Sequence, residues 1–486
     1  MAELHATLKP GKLLIGGEWL AAASGKTRPT VNPATEQEIT QFADGDAADV
    51  DAAVKAARKA FDEGPWTQKM TAAERGRALN RLAQLIAGPH RDELAELETL
   101  DSGKPISETK NIDIPMVAEM FEYFAGWATK ITGHTIPPRG PYFTYTLREA
   151  IGVVGIITPW NFPMLLASWK LGAALAAGNT VVHKPAEQTP LTALRLGQLA
   201  LDAGIPPGVL NVVTGDGPNA GRPLVRHPLV DKISFTGSTR VGQEIMRESA
   251  ETLKRLTLEL GGKSPNVIFA DADLEAAARG AATGIFYNKG EVCAAGSRLF
   301  VEESVKDALL DKLKARADAM KQGDTMDPKT RLGPQVSDVQ RKRVLGYIEA
   351  GKAEGARLVT GGVAPEGRGY FVKPTIFEGT NDMTIAREEI FGPVVVAVPF
   401  KDYDDAVRQS NASAYGLAAG VWTRDLKKAH RYARAVKAGT VWVNTYNLYD
   451  PAMPFGGYKA SGFGRELGEE AVLNYTETKS VWIDLS

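Results

Sequence analysis

The chain holds one side chain that is a strong nucleophile near neutral pH. Cys293 is the single cysteine among 486 residues, in the run Asn288-Lys289-Gly290-Glu291-Val292-Cys293-Ala294-Ala295-Gly296-Ser297. A lone thiol forms no intrachain disulfide, so it is either small apolar filler or a group kept for its chemistry. Small neighbours and two glycines leave the sulfur uncrowded and let backbone approach closely. A thiolate nucleophile needs a base and a donor for the oxyanion it creates. Glu259 comes after the apolar run Arg255–Leu258 and precedes Gly261-Gly262. Partial desolvation there raises a carboxylate toward general-base values, although a capping carboxylate at a domain junction reads the same way. Asn161 lies between Trp160 and Phe162, just after another apolar run. Its amide suits an oxyanion, and Asn is also common in turns.

A second group of residues suits a nucleotide. The run Phe235-Thr236-Gly237-Ser238-Thr239-Arg240-Val241-Gly242 leaves a strand pattern and opens a helix. Backbone N–H groups and the helix dipole would there face a phosphate, while simple N-capping by Ser238 or Thr239 explains the same residues. A GxGxxG turn after the first strand is absent, and the nearest match, Gly215 to Gly221, is explained equally by a turn. Lys184 and Glu187 end another strand pattern. Beyond the carboxyl end of a parallel strand they can bind the hydroxyls of a ribose, or simply pair with each other.

Such residues need a frame that brings distant segments together. Apolar, β-branched runs at Gly152–Ile157, Thr180–His183, Leu210–Val213, Lys232–Phe235 and Arg255–Leu258 alternate with helical patterns at Met164–Ala177, Leu191–Ala203, Ala220–Val225 and Val241–Glu251. This alternation predicts a parallel sheet covered on both faces. A second alternation begins after Pro265. Its strands are Asn266–Ala270, Ser297–Val301, Val394–Val398, Leu417–Trp422 and Gly439–Val443, and its helices are Leu274–Ile285, Val305–Lys321, Asp404–Gln409 and Leu426–Val436. The boundary is expected near Gly261-Gly262. Residues 47–62 read as an amphipathic helix capped by Asp46, and 71–100 continue in helical style. Tyr142–Leu147 and Thr478–Ile483 fit neither block and alternate like strands. They are either ordinary edge strands or a projecting ribbon whose open edge invites a second subunit.

Composition narrows the function. Lys+Arg number 57 and Asp+Glu 58, a net charge of −1, so no single-sign field points to nucleic acid. The start, Met1-Ala2-Glu3-Leu4-His5, lacks the charged and apolar regions of a secretory signal. The most apolar stretch, Ile151 to Gly178, is interrupted by Pro159, Asn161, Pro163 and Lys170, so no membrane span is expected. The six histidines form no ligand-spaced pair and no HExxH, so no metal is expected. A single cysteine fits a cytoplasmic protein in a reducing compartment.

Taken together, seven ordered motifs resemble those of the aldehyde dehydrogenase superfamily over nearly the whole chain. They are Thr158-Pro159-Trp160-Asn161-Phe162-Pro163, Lys184-Pro185-Ala186-Glu187, Phe235-Thr236-Gly237-Ser238-Thr239, Leu258-Glu259-Leu260-Gly261-Gly262-Lys263, Gly290-Glu291-Val292-Cys293, Glu388-Glu389-Ile390-Phe391-Gly392-Pro393 and the segment from Pro454 through Lys459 to Arg465-Glu466. The resemblance implies an α/β fold of two doubly wound parallel-sheet domains plus a small β oligomerisation ribbon. Residues 1–128 and 150–261 would bind NAD, 262–460 would be catalytic, and 129–149 with 461–486 would mediate a homotetramer or homodimer. It also implies roles. Cys293 matches the nucleophile, Glu259 the base, and Asn161 with the Cys293 backbone N–H the oxyanion hole. Lys170 and Glu466 match residues that assist proton traffic. Lys184, Glu187, Gly237, Ser238, Gly242, Glu389 and Phe391 match the NAD site. Trp160 is expected against the cofactor and in the aromatic lining of a substrate tunnel, with Phe162, Trp169, Tyr449 and Phe455. A retained Glu259 implies hydrolysis of a thioester rather than acyl transfer to coenzyme A, and Glu187 implies NAD over NADP. The expected substrate is an apolar aliphatic or aromatic aldehyde; a betaine-type or semialdehyde substrate, or a thiol-dependent acyl hydrolase, is the alternative. One position departs from the commonest pattern: Glu291 stands where many members carry Gln. An anion beside a thiol opposes its ionisation, so Glu291 is expected to point away from the sulfur.

Overall fold

The computed structural model describes residues 11–486. The chain start, on which the expectation of no secretory signal rests, lies outside them. The first sheet has eight strands, in the order Glu18–Leu20, Leu13–Ile15, Leu210–Val212, Thr180–Lys184, Val153–Ile157, Lys232–Thr236, Arg255–Glu259 and Gly462–Phe463. The five central strands are parallel, as the alternation predicts. Four of them are buried along their whole length, which is why they read as apolar runs without a polar face. The outer strands run antiparallel, so the sheet is mixed. Those strands have only two or three residues, too short for any periodicity to register.

Strand order reverses beside Val153–Ile157. From there the chain moves outward through Thr180–Lys184 to Leu210–Val212, then returns to Lys232–Thr236 on the other side. The loops leaving these two adjacent strands diverge at their carboxyl ends and open a crevice. Asn161 comes after one strand and Ser238 after the other. Helix Pro163–Ala176 starts at once after Asn161, with proline in its first turn, where a missing N–H costs nothing. Every residue of that helix is buried.

The second sheet has seven strands, in the order Arg357–Thr360, Thr375–Glu378, Val394–Phe400, Arg298–Glu302, Pro265–Ile268, Ala418–Trp422 and Thr440–Val443. All but the first pair in parallel. Cys293 precedes the central strand Arg298–Glu302, so the nucleophile loop is anchored on a buried element.

Tyr142–Ala150 and Thr476–Asp484 pair antiparallel over nine residues each, forming the projecting ribbon. Only part of the expected segment 461–486 belongs to it. Gly462–Phe463 completes the first sheet, and helix Gly468–Leu473 contacts Pro163–Ala176. No helix among the described residues is long and apolar enough to cross a membrane.

Candidate active site

Two cavities meet at Cys293. The first, about 640 Å³, opens at the carboxyl ends of the first sheet and is lined by Trp160, Asn161, Thr236, Gly237, Ser238, Glu259, Glu389 and Phe391. The second, about 680 Å³, is lined by Phe162, Leu166, Trp169, Tyr287, Val292, Tyr449 and Phe455. Among the described residues, Cys293 is the one that lines both. The sheet crevice and the aromatic tunnel therefore give two ligands access to a single sulfur.

Burial pushes the Cys293 thiol well above its ordinary value, and the carboxylates of Glu259 and Glu389 push it further; the backbone N–H groups of Ala294 and Cys293 oppose them. The same N–H groups mark where negative charge is stabilised beside the sulfur. Gly262 packs so closely that a Cβ there would lie 2.2 Å from the Cys293 carbonyl oxygen. Only glycine lets the segment carrying Glu259 approach the nucleophile loop at this distance.

Glu259 is the last residue of its strand, and it is buried within reach of the Cys293 thiol, which acts on its carboxylate as a weak hydrogen-bond donor. Burial raises its pKa to about 8, with Lys170 opposing and the anions Glu466 and Glu389 adding. Lys170 and Glu466 form a buried ion pair nearby. The pair joins helix Pro163–Ala176 to the segment that completes the first sheet, residues 296 apart in sequence.

Asn161 Nδ2 donates to the Glu291 carbonyl at 2.9 Å, and Asn161 Oδ1 is buried without a partner. The Glu291 side chain points away from the sulfur, as expected. Its Oε2 lies 2.9 Å from Lys289 Nζ and its Oε1 accepts from the Val336 N–H at 3.0 Å. The anions acting on the thiol are Glu259 and Glu389.

The crevice has the donor set of a dinucleotide site. Ser238 caps helix Thr239–Ser249, whose N-terminus points its dipole toward an anion. The Thr236 hydroxyl is buried and unpartnered. Glu389 Oε1 accepts from Gly262 N–H at 3.0 Å, while Phe391 holds φ 61° and meets Trp160 edge-on at 5.2 Å. Lys184 and Glu187 stand on the adjacent strand end with Nζ and Oε2 3.4 Å apart, so the simple charge pair forms. Neither lines the crevice cavity at Cys293, and Glu187 is partly exposed.

Two assignments shift. Trp160 lines the sheet crevice and not the aromatic tunnel, because Phe391 holds it on that side. Gly242 lies under Leu260, 2.5 Å from where its Cβ would be, and does not line the crevice; it permits helix packing. Reading by motif also misses Gln340 and Arg343 at the crevice. Both come from helix Asp338–Ala353, whose few buried positions give it a weak apolar stripe. Gln340 Nε2 donates to the Phe391 carbonyl at 2.6 Å. Tyr287, Ile112 and Met116 of the tunnel belong to no motif, and only packing reveals them.

Comparison with known proteins decides the family. The profile of the Aldehyde dehydrogenase family matches residues 19–481. The chain belongs to the aldehyde dehydrogenase family. It is 54% identical to the putative aldehyde dehydrogenase DhaS of Bacillus subtilis (strain 168), over 98% of this chain and 96% of that protein. It is 52% identical to the mitochondrial aldehyde dehydrogenase of Homo sapiens, over 97% of this chain and 92% of that protein. A structure of the Bacillus cereus aldehyde dehydrogenase in complex with NAD+ superposes with a TM-score of 0.98 at 52% identity, covering 100% of this chain and 99% of that one.

Proposed function

We propose that this aldehyde dehydrogenase oxidises an uncharged, apolar aldehyde to the carboxylic acid, using NAD+ and the Cys293 thiol. The observation that carries the substrate reading is the tunnel wall. Among the described residues it consists of aromatic and aliphatic side chains, with Thr283, Asn447, Cys293, the Tyr hydroxyls and the Trp169 indole N–H as polar groups and no Arg, Lys, Asp or Glu. Trp169, Tyr449 and Phe455 pack edge-on or tilted at centroid distances of 5.5–5.8 Å. A charged semialdehyde would lose hydration there without gaining a partner.

The chain's own groups divide the chemistry. The Cys293 sulfur, as thiolate, forms a bond to the aldehyde carbon. The negative charge moves to the aldehyde oxygen, which Asn161 Nδ2 and the Cys293 N–H receive. NAD+, when bound in the crevice, would supply the acceptor for the hydride lost from that carbon. Trp160, Ser238, Glu389, Phe391, Lys184 and Glu187 hold it, and the carboxylate of Glu187 disfavours a 2′-phosphate. The thioester left on Cys293 is hydrolysed as Glu259 takes a proton from water, whose oxygen attacks the acyl carbon and expels the thiolate. The buried Lys170–Glu466 pair acts electrostatically on Glu259 and is placed to take part in passing that proton on.

The ribbon suits self-association as a homodimer or homotetramer. Thr476–Asp484 presents an open edge, and Phe143, Leu147, Trp482 and Ile483 are exposed on the ribbon. One free thiol and no disulfide suit a cytoplasmic setting.

The test is NADH absorbance across aldehydes that vary in length, aromaticity and charge. Apolar aldehydes should show kcat/KM at least about tenfold above a betaine-type aldehyde or a carboxylated semialdehyde. Preference for a charged aldehyde would overturn the substrate reading. Cleavage of an activated ester with no NADH from any aldehyde would favour an acyl hydrolase.

A further inference from the structure

Lys289 and Glu291 have no part in the chemistry above, yet both side chains are fully buried in the loop that carries Cys293. Their charged atoms are 2.9 Å apart. Lys289 Nζ also donates to the Ser102 carbonyl at 2.7 Å, and Glu291 Oε1 accepts from the Val336 N–H at 3.0 Å. The pair therefore ties the nucleophile loop to helix Arg91–Ser102 on one side and to the segment before Ser337 on the other. Burying two ions costs several kcal/mol each, and apolar replacements of buried pairs are often no less stable. Stability alone does not account for the pair.

A second oddity adjoins it. Asn288, Lys289 and Gly290 take φ of 46°, 61° and 74°, three successive residues in the left-handed region. Two of them carry a Cβ, at roughly 1–2 kcal/mol each. Such strain persists only where the surroundings over-determine it, and it clusters at functional sites. Gly290 packs against backbone at 392–393, so closely that a Cβ there would fall 2.1 Å from the Gly392 carbonyl oxygen, and only glycine fits.

The turn delivers one group to the active site: the Glu291 carbonyl. It accepts from Asn161 Nδ2 at 2.9 Å and from Asn288 Nδ2 at 3.2 Å, while Asn288 Nδ2 also donates to the Asn161 carbonyl at 2.7 Å. If the Asn161 amide were flipped, its Oδ1 would face that carbonyl, lone pair against lone pair. The carbonyl therefore fixes which way the amide points. A primary amide carries two N–H bonds. One is held by Glu291, and the other is left for a substrate oxygen at Cys293.

We propose that the buried Lys289–Glu291 pair is a positioning device for the oxyanion hole. It clamps the left-handed turn at 288–290 so that the Glu291 carbonyl orients the Asn161 amide with one N–H free. The proposal rests on Asn161 being the oxyanion donor, and its test separates the two claims.

Lys289→Gln, Glu291→Gln, the double variant and Asn161→Ala are compared for kcat, KM and Tm. Asn161→Ala should lower kcat about 100- to 1,000-fold. Each single change at the pair strands a buried charge and should lower kcat about tenfold, with KM for NAD+ within about twofold. The double variant, a neutral amide pair, should recover most of the lost kcat. In the Asn161→Ala background, Lys289→Gln should cost little further, because the clamp acts through Asn161. A merely structural pair would lower kcat by the same factor in both backgrounds, and that result overturns the proposal, as does full kcat in both single variants. Full kcat in Asn161→Ala would instead overturn the oxyanion assignment itself. Should the single variants fail to fold, Glu291→Asp keeps the charge, shortens the tether and is read against Asn161→Ala in the same way.

Discussion

Glu259 provides the most quantitative expectation. It is buried at the end of its strand beside the Cys293 thiol, and burial lifts its pKa to about 8. A carboxyl group with a raised pKa acts as base only above that pKa, so hydrolysis of the acyl-enzyme should accelerate with pH. About one-tenth of Glu259 is ionised at pH 7 and about nine-tenths at pH 9, which sets a rise of about tenfold. An activated ester such as 4-nitrophenyl acetate isolates the step. The burst of nitrophenolate reports acylation of Cys293, and the slow phase after it reports hydrolysis. In the wild type the slow phase should rise about tenfold from pH 7 to 9 and then level. In Glu259→Gln the burst should keep its stoichiometry, the slow phase should fall about 100- to 10,000-fold, and its pH dependence should vanish. The burst rate itself should also rise with pH, because the Cys293 thiol is pushed up as well. The slow phase is therefore the discriminating observable. A Glu259→Gln enzyme that hydrolyses at the wild-type rate, or a wild-type slow phase that is flat from pH 7 to 9, refutes the reasoning.

The same geometry sets three further expectations. Trp169→Ala removes a buried indole packed on Tyr449 and Phe455; it should cost about 3–5 kcal/mol in chemical denaturation and lower KM for bulky aldehydes relative to short ones, and a uniform change in KM would remove Trp169 from the tunnel wall. Glu98 is fully buried, and burial raises it from 4.5 to about 7, with Lys104 and hydrogen bonds from the Thr192 hydroxyl and the Met164 N–H opposing. Its contribution to stability is fully present below pH 4.5 and is lost as pH rises through about 7, so Glu98→Gln should gain up to about 3 kcal/mol over wild type between pH 4.5 and 8, read from urea midpoints. Trp482→Asp places a charge on the exposed ribbon edge and should lower the particle mass in light scattering; an unchanged mass would place the interface elsewhere.

Much of this site is legible in the sequence because its parts stand at strand ends. Strands buried on both faces leave unmistakable apolar runs, and in a parallel sheet the residues just beyond them form the ligand-binding edge. Asn161, Ser238 and Glu259 are legible in this way, and each lies at the crevice. Helix Asp338–Ala353 escapes such a reading because its surface is largely polar, and Gln340 and Arg343 escape with it. The antiparallel strands at the edges of the first sheet escape because two or three residues carry no period. Trp160 is expected in the tunnel as well as the crevice because a motif gives position along the chain and not the side to which a ring turns.

The sequence by itself determined the inventory: one thiol, a carboxylate and an amide at strand ends, two α/β alternations and a pair of alternating segments able to form a ribbon. These arise from local chemistry and periodicity, which need no knowledge of neighbours. Only the tertiary structure decided that Cys293 stands where two cavities join, that Glu259 is buried enough to titrate near 8, and that Glu291 turns from the sulfur toward Lys289. Burial and amide orientation depend on groups far apart in sequence, as in the bond between Asn161 and Glu291, which are 130 residues apart, and even the Lys289–Glu291 pair forms only because the surrounding fold buries it. The fold brings those groups together, and no local pattern in the chain records their meeting.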